Sequence, residues 1–399
     1  MKHFRSLLGS SLNLRNQRLI YVIRNTICII MSIVIITGTR PEIIKMYPIM
    51  KVFDSRSIDY KYIHTGQHYD YNLFLKFIEE FEIREPDICI SADVSNPVNQ
   101  VANIMEKIGI VINELRPSLV LVEGDTNSVL ASALAALKSK IPIAHIESGL
   151  RSNDWKTVEE HNRKIVDHVS DILFSPTDVS TKNLQNERVH GKIHTVGNTV
   201  IDAINLCLAK ESTNNNKTDP DWFHSLGIYE QSDDFILVTI HRAENVDDIN
   251  VLRQVLIALS DSNLKYIFPI HPHTHKAIQK YGLARYIGKG IRLIDPLGYR
   301  DFLKMLNKCR FVISDSGGIQ EEITSPQINK RAIILRDCTE RPESVESGHS
   351  FLCKIEYKTI LEQIERFDMG DSNKITTGSP YGVGDSAVKI IDILEKKFS

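Results

Sequence analysis

Short apolar runs alternate with longer amphipathic segments along the chain from Ser32 onward. The runs at 32–38, 59–66, 118–125 and 141–149 are typical of buried strands, and each ends at a glycine or an acid. Between them, the segments at 41–53, 96–115 and 128–140 repeat apolar residues every three to four positions, which predicts helices. Apolar strands that alternate with helices predict a parallel sheet covered on both faces, and the pattern continues to residues 194–198.

The same alternation begins again after a polar stretch at 210–221, KESTNNNKTDPD, which has the composition of a surface loop. The further predicted strands lie at 235–242, 264–272, 290–297, 310–318 and 331–337. The sequence therefore predicts an α/β protein with two Rossmann-like domains that face each other across a cleft. Ligands bind such sheets at the carboxyl ends of the strands. The predicted boundary lies near Gly197, so that residues 31–197 form the first domain and residues 198–378 the second.

Length and composition are those of an ordinary globular protein. The 399 residues suffice for two domains with separate cores, and 42% of them are hydrophobic and 25% charged. The net charge of −2 gives no basic field that would attract nucleic acid, so we expect no partner of that class. The six cysteines form no C-x-x-C pair, which predicts free thiols in a reducing cytoplasm, without a disulfide framework or a zinc site.

The first thirty residues differ from the rest, because they contain five basic residues and no acid. One interpretation is a targeting or membrane-surface segment. Arg24 and Asn25 interrupt its apolar stretch well short of the roughly 20 residues that a transmembrane helix needs. The other interpretation is that the natural start is Met31. We expect residues 1–30 to lie outside the fold and no membrane to be involved.

Two cations follow the first predicted strand. Gly38 permits a tight turn there, and Pro41 suits the first turn of a helix. Arg40 and Lys45 would both reach a phosphate at that helix start. The alternative is that this is an ordinary strand-to-helix turn and that the two cations lie on the surface without binding a ligand.

Three carboxylates follow successive strands of the first half. Asp125 and Glu147 lie at strand ends, and Glu159 lies at the start of the next predicted helix. Carboxylates that share a cleft shift one another's pKa, so that one serves as a base and another as an acid. The alternative is that Asp125 and Glu159 are ordinary acids at helix starts.

Histidines follow strands of the second half. His241 and Arg242 are good donors for phosphate oxygens. His271, His273 and His275 are of the type that binds zinc, but no cysteine or acid stands beside them. We expect a polar loop there and no metal.

The segment SDSGGIQEE, at 314–322, combines paired glycines with two acids. A glycine-rich turn between a strand and a helix lets backbone N–H groups approach a phosphate. An acid near such a turn commonly accepts hydrogen bonds from ribose hydroxyls. We therefore expect Ser316, Gly317 and Gly318 to bind the phosphates of a nucleotide and Glu322 its ribose.

Nine segments of this chain, in order, resemble those of the non-hydrolysing UDP-N-acetylglucosamine 2-epimerases. They are GTRPEIIKM, HTGQHYD, VEGDTNSVLA, HIESGLRS, EEHNRKIVDH, GNTVIDA, HR, SDSGGIQEE and RDCTERPE. The resemblance implies the two-domain glycosyltransferase-B architecture, with a C-terminal helix, here 379–399, that crosses back to the first domain. It also implies a reaction that interconverts UDP-GlcNAc and UDP-ManNAc without a cofactor or metal. In that reaction UDP leaves by anti elimination, a 2-acetamidoglucal is held in the cleft, and UDP adds back with inversion at C2.

The resemblance also assigns roles to residues. The catalytic set that it implies is Asp125, Glu147, Glu159 and His241. The UDP-binding set that it implies is Arg40, Lys45, His241, Phe302, Ser316, Gly317, Gly318, Glu322 and Arg341. Which carboxylate performs which step stays open. A homodimer that supplies ManNAc units to a surface polysaccharide is also implied.

This chain departs from the family pattern in the segment that bacterial members use for activation by a second substrate molecule. Those members follow Gln-His with Arg-Glu-Met, whereas Tyr69 and Asp70 follow Gln67 and His68 here. Gln67 and His68 are the candidate activator residues.

Several alternatives stay open. A 2-epimerase of another UDP-2-acetamido sugar, including deoxy sugars, would carry the same nucleotide motifs. A glycosyltransferase of the same architecture would need an acceptor pocket, and it gives no reason for the three acids. Hydrolysing epimerases differ in the opening motif, and the intact acids argue against a non-catalytic sensor.

Overall fold

The computed structural model describes residues 32–67, 78–93, 95–213, 223, 234–288, 290–370, 375 and 378–398. The segment 1–30 and the candidate activator residue His68 lie outside these ranges, so the predictions made for them stay predictions. The described residues form an α/β fold with two parallel sheets, as the sequence predicts.

Within the described residues the first sheet has seven parallel strands in the order β3-β2-β1-β4-β5-β6-β7. Its strands are β1 Ile33–Thr37, β2 Tyr60–His64, β3 Ile88–Cys89, β4 Leu119–Glu123, β5 Ile143–Ile146, β6 Ile172–Ser175 and β7 Lys192–Thr195. The helices around it are α1 Arg40–Ser55, α2 Pro97–Leu115, α3 Asn127–Lys138, α4 Val158–Val169, α5 Asp178–Asn186 and α6 Thr199–Thr213. The central strands β1 and β4 are buried at every position, which is why they read as unbroken apolar runs.

Within the same ranges the second sheet has six parallel strands in the order β10-β9-β8-β11-β12-β13. Its strands are β8 Ile236–Thr239, β9 Tyr266–Pro269, β10 Ile291–Ile294, β11 Val312–Ser314, β12 Ala332–Ile334 and β13 Ser350–Leu352. The helices are α7 Ala243–Val246, α8 Ile249–Asp261, α9 Pro272–Lys280, α10 Tyr299–Lys308, α11 Gly317–Glu322, α12 Pro342–Glu346, α13 Tyr357–Asp368 and α14 Ser386–Phe398, with a 3-10 turn at Leu283–Tyr286. We call the unit built on the first sheet the N-terminal half and the unit built on the second sheet the C-terminal half. The domain boundary near Gly197 stays a prediction.

The last helix returns to the N-terminal half, as predicted. Helix α14 packs on α1 and α6, and Arg56 pairs with Asp392 at 2.7 Å. The predicted start of this helix at residue 379 is wrong, because the helix begins at Ser386. Pro380 lies in the preceding stretch, where Gly382 and Gly384 have positive φ angles of 99° and 94°, which a helix does not admit.

The two halves are connected where α14 and α6 begin. The amide of Asn198 donates a hydrogen bond to the carbonyl of Tyr381 at 2.8 Å. The carboxylate of Asp202 accepts hydrogen bonds from the amides of Ser386 and Ala387, at 3.3 and 2.9 Å, and so caps α14. These bonds hold the start of α6 beside the start of α14, the helix by which the chain returns to the N-terminal half.

One further prediction about local structure is wrong, and a second is wrong for its first four residues. The segment with His271, His273 and His275 is not a loop, because Pro272 starts helix α9 and the His271 side chain accepts a hydrogen bond from the His273 amide as its N-cap. The polar stretch at 210–221 is helical as far as Thr213, and the residues after it are outside the described ranges.

No helix in the described ranges is long and apolar enough to cross a membrane. The described cysteines, Cys89, Cys207, Cys309, Cys338 and Cys353, are all free.

Candidate active site

A cleft of about 1030 Å³ lies at the carboxyl ends of the strands and is lined by residues of both halves. Parallel strands bring their carboxyl ends to one edge of each sheet, so residues far apart in the chain meet there. The predicted site residues that line this cleft are Arg40, Lys45, Asp125, Glu147, Glu159, His241, Phe302, Ser316, Gly317, Gly318, Glu322 and Arg341. Gln67 lies elsewhere, since its side-chain oxygen accepts hydrogen bonds from the amide and hydroxyl of Ser128 at the start of α3.

The floor of the cleft holds a buried cluster of charges from both halves, which we call the charge cluster: Lys45, Glu123 and Glu147 from the N-terminal half and Glu321 and Arg341 from the C-terminal half. The Nζ atom of Lys45 bonds to Glu147 and lies 3.5 Å from Glu123 and 3.2 Å from Glu321. The Arg341 guanidinium contacts Glu321 at 2.7 Å and Glu147 at 3.6 Å. Each cation therefore contacts acids of both halves.

The charge cluster separates the acidities of its carboxyl groups. Burial alone would raise the pKa of Glu147, but the cations Lys45 and Arg341 hold it below its ordinary value. Burial raises the pKa of Glu123 well above its ordinary value, and the nearby carboxylate of Glu147 adds to the effect. Burial also raises the pKa of Glu321, although Arg341 opposes it. The pKa of Glu147 is thus lowered, while the pKa values of its neighbours Glu123 and Glu321 are raised.

A strained turn presents Glu147 to the cleft. Its φ angle is +65°, which is uncommon for a residue other than glycine. The side-chain amide of Asn198 donates to the Glu147 carboxylate at 2.9 Å. Behind the turn, Asp167 accepts a hydrogen bond from the Gly149 amide at 3.1 Å and contacts the His145 ring at 2.7 Å. Together these contacts hold the backbone of Glu147 in its strained conformation.

The other two predicted carboxylates occupy the side of the cleft. Asp125 is half-buried and pairs with Arg163 at 2.7 Å. Its backbone carbonyl accepts a hydrogen bond from the side-chain amide of Asn162 at 2.8 Å. Glu159 is exposed in the first turn of α4. Of the three, only Glu147 belongs to the charge cluster.

Sequence reasoning missed Asp315, which positions His241. This fully buried carboxylate accepts hydrogen bonds from the amides of His241 and Arg242, at 3.1 and 3.0 Å, and from the Asn245 side chain at 3.0 Å. Its Oδ1 atom also lies 3.4 Å from the His241 ring. The available signal was an acid directly after strand β11, inside the segment SDSGG.

Glu42 is a second residue that the sequence reasoning missed. It is buried and accepts hydrogen bonds from the Gly38 amide at 2.7 Å and from the hydroxyls of Thr39 and Thr126 at 2.7 and 2.8 Å. Burial raises its pKa to about 7, against the effect of these bonds. Glu42 thus ties the turn after β1 to the turn after β4.

The segment with the paired glycines begins α11 directly. Ser316 is the N-cap, and Gly317 and Gly318 are the first helical residues. A Cβ atom on Gly317 would lie 2.7 Å from the Arg341 guanidinium and 2.8 Å from the Glu340 carboxylate, so a larger residue there would displace these two side chains. Glu322 is buried on the same short helix, and burial, together with Glu321, raises its pKa to about 7. In the described part of the chain, no group of three or more His, Cys, Asp or Glu residues is placed to hold a metal ion.

Comparisons with known proteins agree on one family. The family model for UDP-N-acetylglucosamine 2-epimerase matches residues 51–395. A UDP-N-acetylglucosamine 2-epimerase of Methanococcus maripaludis is 38% identical over 374 residues, which cover 91% of this chain and 98% of that protein. A UDP-2,3-diacetamido-2,3-dideoxy-D-glucuronate 2-epimerase of Pseudomonas aeruginosa is 36% identical, with 92% of this chain and 100% of that protein covered.

A solved structure shows the same fold. The Methanocaldococcus jannaschii UDP-GlcNAc 2-epimerase, in complex with UDP-GlcNAc and UDP, superposes with a TM-score of 0.82 at 36% identity, covering 92% of this chain and 100% of that one. The architecture is therefore the two-domain one that the sequence predicts. The chain belongs to the UDP-N-acetylglucosamine 2-epimerase family, a family of isomerases.

Proposed function

We propose that this protein interconverts UDP-GlcNAc and UDP-ManNAc, without hydrolysis, by elimination and re-addition of UDP. The observation that carries the proposal is that one cleft gathers the cations and glycines suited to a diphosphate together with the carboxylates suited to work at C2 of a sugar. The relatives named for this activity support it across more than nine-tenths of the chain.

The C-terminal half would bind the nucleotide. Ser316, Gly317 and Gly318 bring backbone N–H groups to the cleft, where they would bind the phosphates of UDP. Glu322, one turn further along α11, would accept the ribose hydroxyls, and Phe302 would lie against uracil. His241, held by Asp315, would donate to the departing diphosphate. From the other half Arg40 would complete the phosphate site.

The two cations of the charge cluster have a second task. Lys45 and Arg341 are saturated by carboxylates in this structure. Binding of a diphosphate would give them a competing anion, so we expect UDP to loosen the contacts among Glu147, Lys45 and Arg341 as it binds. A carboxylate released in this way becomes a stronger base next to the sugar.

The reaction needs carboxylates on more than one side of the sugar. When the bond between C1 and oxygen breaks, its electron pair leaves with UDP, and positive charge develops on the ring. A carboxylate stabilises that charge, and another removes the proton from C2, which leaves a double bond between C1 and C2. UDP then returns to C1 while a proton is delivered to the opposite face of C2. Asp125, Glu147 and Glu159 would supply these functions.

Closure of the cleft would protect the glucal intermediate. Lys45 meets Glu321 and Glu147 meets Arg341 across the two halves, so the charge cluster is complete only when the halves are together. A closed cleft excludes water and keeps the glucal from escaping. We also propose that the protein acts as a homodimer in the cytoplasm, supplying ManNAc units for a surface polysaccharide.

A second substrate is favoured by one observation. The Pseudomonas aeruginosa relative, named for a diacetamido-dideoxy-glucuronate, is nearly as similar to this chain as the relative named for GlcNAc. The motifs of this chain would contact mainly the nucleotide, and so leave the sugar open. The alternative proposal is therefore 2-epimerisation of another UDP-2-acetamido sugar by the same steps.

The experiment is incubation of the purified protein with UDP-GlcNAc in D2O, followed by proton NMR. Formation of UDP-ManNAc, with deuterium at C2 of both sugars and no accumulation of free ManNAc, is the expected result. Accumulation of free ManNAc and UDP would instead indicate a hydrolysing enzyme. Absence of exchange with added UDP, together with exchange of a diacetamido or deoxy UDP-sugar, would replace the first proposal by the second. Light scattering of the same sample tests the homodimer.

A further inference from the structure

Glu123 is a buried carboxyl group in the cleft to which neither the sequence nor the proposed mechanism gives a task. It is the last residue of β4, is 2% exposed and lines the cleft. Its Oε1 atom receives no hydrogen bond from any residue that the structure describes, and it lies 3.5 Å from Lys45 Nζ. A buried polar atom without a hydrogen bond is costly, so its retention in a cleft calls for a functional explanation.

Glu123 and Glu147 form a pair through Lys45. They end neighbouring parallel strands, because Glu123 pairs in register with Ile146, the residue before Glu147. Both carboxyl groups contact the same Lys45 ammonium, and both line the cleft. They are therefore two carboxyl groups at the ends of neighbouring strands that line one cleft and share one cation.

The surroundings of the two groups are opposite. Glu147 is held ionised by Lys45, Arg341 and the amide of Asn198. Burial raises the pKa of Glu123 well above its ordinary value; its single cation contact, Lys45 at 3.5 Å, opposes this, and Glu147 and Glu42 add to it. Two titratable groups whose environments push their acidities apart are the usual arrangement of a base and an acid.

Resting on the proposed function, we infer that Glu123 is a catalytic residue that exchanges the C2 proton on one face of the sugar, while Glu147 serves the other face. In one direction the carboxylate of Glu147 takes the proton from C2, the electron pair of that bond forms the double bond to C1, and UDP leaves with the electron pair of the C1–O bond. The double bond then takes the proton of the Glu123 carboxyl group from the other face, and an oxygen of UDP forms the new bond to C1. The cycle ends with Glu147 protonated and Glu123 ionised, and the reverse direction uses them in exchanged roles.

Asp125 and Glu159 are less suited to this exchange. Asp125 is paired with Arg163, and Glu159 is exposed to solvent. Such positions suit stabilisation of positive charge on the ring, whereas Glu123 is buried in the cleft and shares the Lys45 contact with Glu147.

The test is the variant Glu123→Gln, which keeps the size and neutrality of the side chain and removes the transferable proton. Elimination is measured separately from inversion by placing oxygen-18 in the bond between C1 and the β-phosphate. Each time UDP leaves and adds back, the oxygen-18 can move from the bridging to a non-bridging position of the β-phosphate. Phosphorus NMR detects this exchange of positions even when the configuration at C2 is unchanged. The assay is run from both UDP-GlcNAc and UDP-ManNAc.

The expected result is asymmetric. Formation of the opposite epimer falls by at least about a hundredfold, the usual contribution of general acid–base catalysis. When the starting substrate is the epimer whose C2 proton Glu147 removes, the oxygen-18 label is still scrambled. When the starting substrate is the other epimer, scrambling is lost, because its C2 proton would have to be removed by residue 123. Equal loss of scrambling from both epimers, or no loss of inversion, overturns the inference. If the wild-type protein itself epimerises no UDP-sugar, the proposed function fails, which is a different outcome.

Two further variants separate catalysis from folding. Glu343→Gln changes another buried carboxyl group, which bonds to Thr177 and lies outside the cleft, and it should leave the ratio of scrambling to inversion unchanged. If Glu123→Gln does not fold, Glu123→Asp keeps an acid but withdraws it by one methylene, and the same asymmetry is then expected in weaker form. Symmetric loss in that variant also overturns the inference.

Discussion

Replacement of Lys45 by methionine tests whether the charge cluster holds the two halves together. The ammonium group contacts three carboxyl groups, and the Lys45 side chain is only 9% exposed. Removing one partner of a buried ion pair costs about 3–5 kcal/mol, because the remaining charges have no compensation. For a domain of this size, that loss corresponds to a fall in Tm on the order of 10 °C.

The effect of this substitution depends on pH in a direction that the structure fixes. In the wild-type protein the pKa of Glu147 lies below its ordinary value of 4.5, so its stabilising contribution is lost only as the pH falls through that lowered pKa. Lys45 is the largest influence that opposes burial, so we expect the pKa of Glu147 to rise when Lys45 is removed. A group with a raised pKa contributes stability that is present at low pH and is lost as the pH rises. The deficit of Lys45→Met should therefore widen from about pH 5 to about pH 8.

The assay is urea unfolding of both proteins, followed by circular dichroism, across that pH range. Lys389→Met is the matched control, because Lys389 pairs with Asp385 on the surface and loss of such a pair costs at most about 1 kcal/mol. A deficit of Lys45→Met below about 1 kcal/mol at pH 8, or one that does not change with pH, would refute the role given to the charge cluster.

Three further predictions concern the nucleotide side of the cleft. Gly317→Ala should weaken UDP binding by at least about tenfold without unfolding the protein, because its Cβ atom would lie 2.7 Å from Arg341; calorimetric titration with UDP measures this. Asp315→Asn should lower kcat, since the loop of His241 loses its charged acceptor, and should destabilise the protein by about 1–3 kcal/mol; unchanged kcat would contradict the positioning of His241. Glu322→Gln should lessen the fall in Tm as the pH rises through about 7, because the raised pKa of Glu322 gives stability that is present below its unfolded value and lost through that range; parallel melting curves at each pH would contradict it.

Most of the fold followed from the hydrophobic pattern, because buried parallel strands need long apolar runs. Strands β1, β4 and β5 and helices α1 to α3 lie within one to three residues of their predicted bounds. Four strands, β3, β6, β7 and β13, were not individually predicted. Strand β3 has only two residues, and a run this short carries no periodic signal. The predicted start of α14 is too early, because the predicted helix included Gly382 and Gly384, whose positive φ angles a helix does not admit.

The candidate site was predicted as a set of residues, but their contacts were not. Position after a strand was enough to bring Asp125, Glu147, His241 and the paired glycines to one cleft. The partners of Lys45 could not be predicted, since Glu321 belongs to the other half and is brought near only by tertiary packing. Glu123 was overlooked because it ends a strand whose preceding residues all serve the core.

The paired segments at Asn198 and Tyr381 restrict how the cleft can open. When two rigid bodies are joined at two adjacent points, rotation about the line through those points is easy, and rotation about other axes is resisted. The hydrogen bond of 2.8 Å between Asn198 and Tyr381 holds the two points together. We therefore expect opening to be a swing about this line, with each closure bringing Lys45 back to Glu321 and Glu147 back to Arg341.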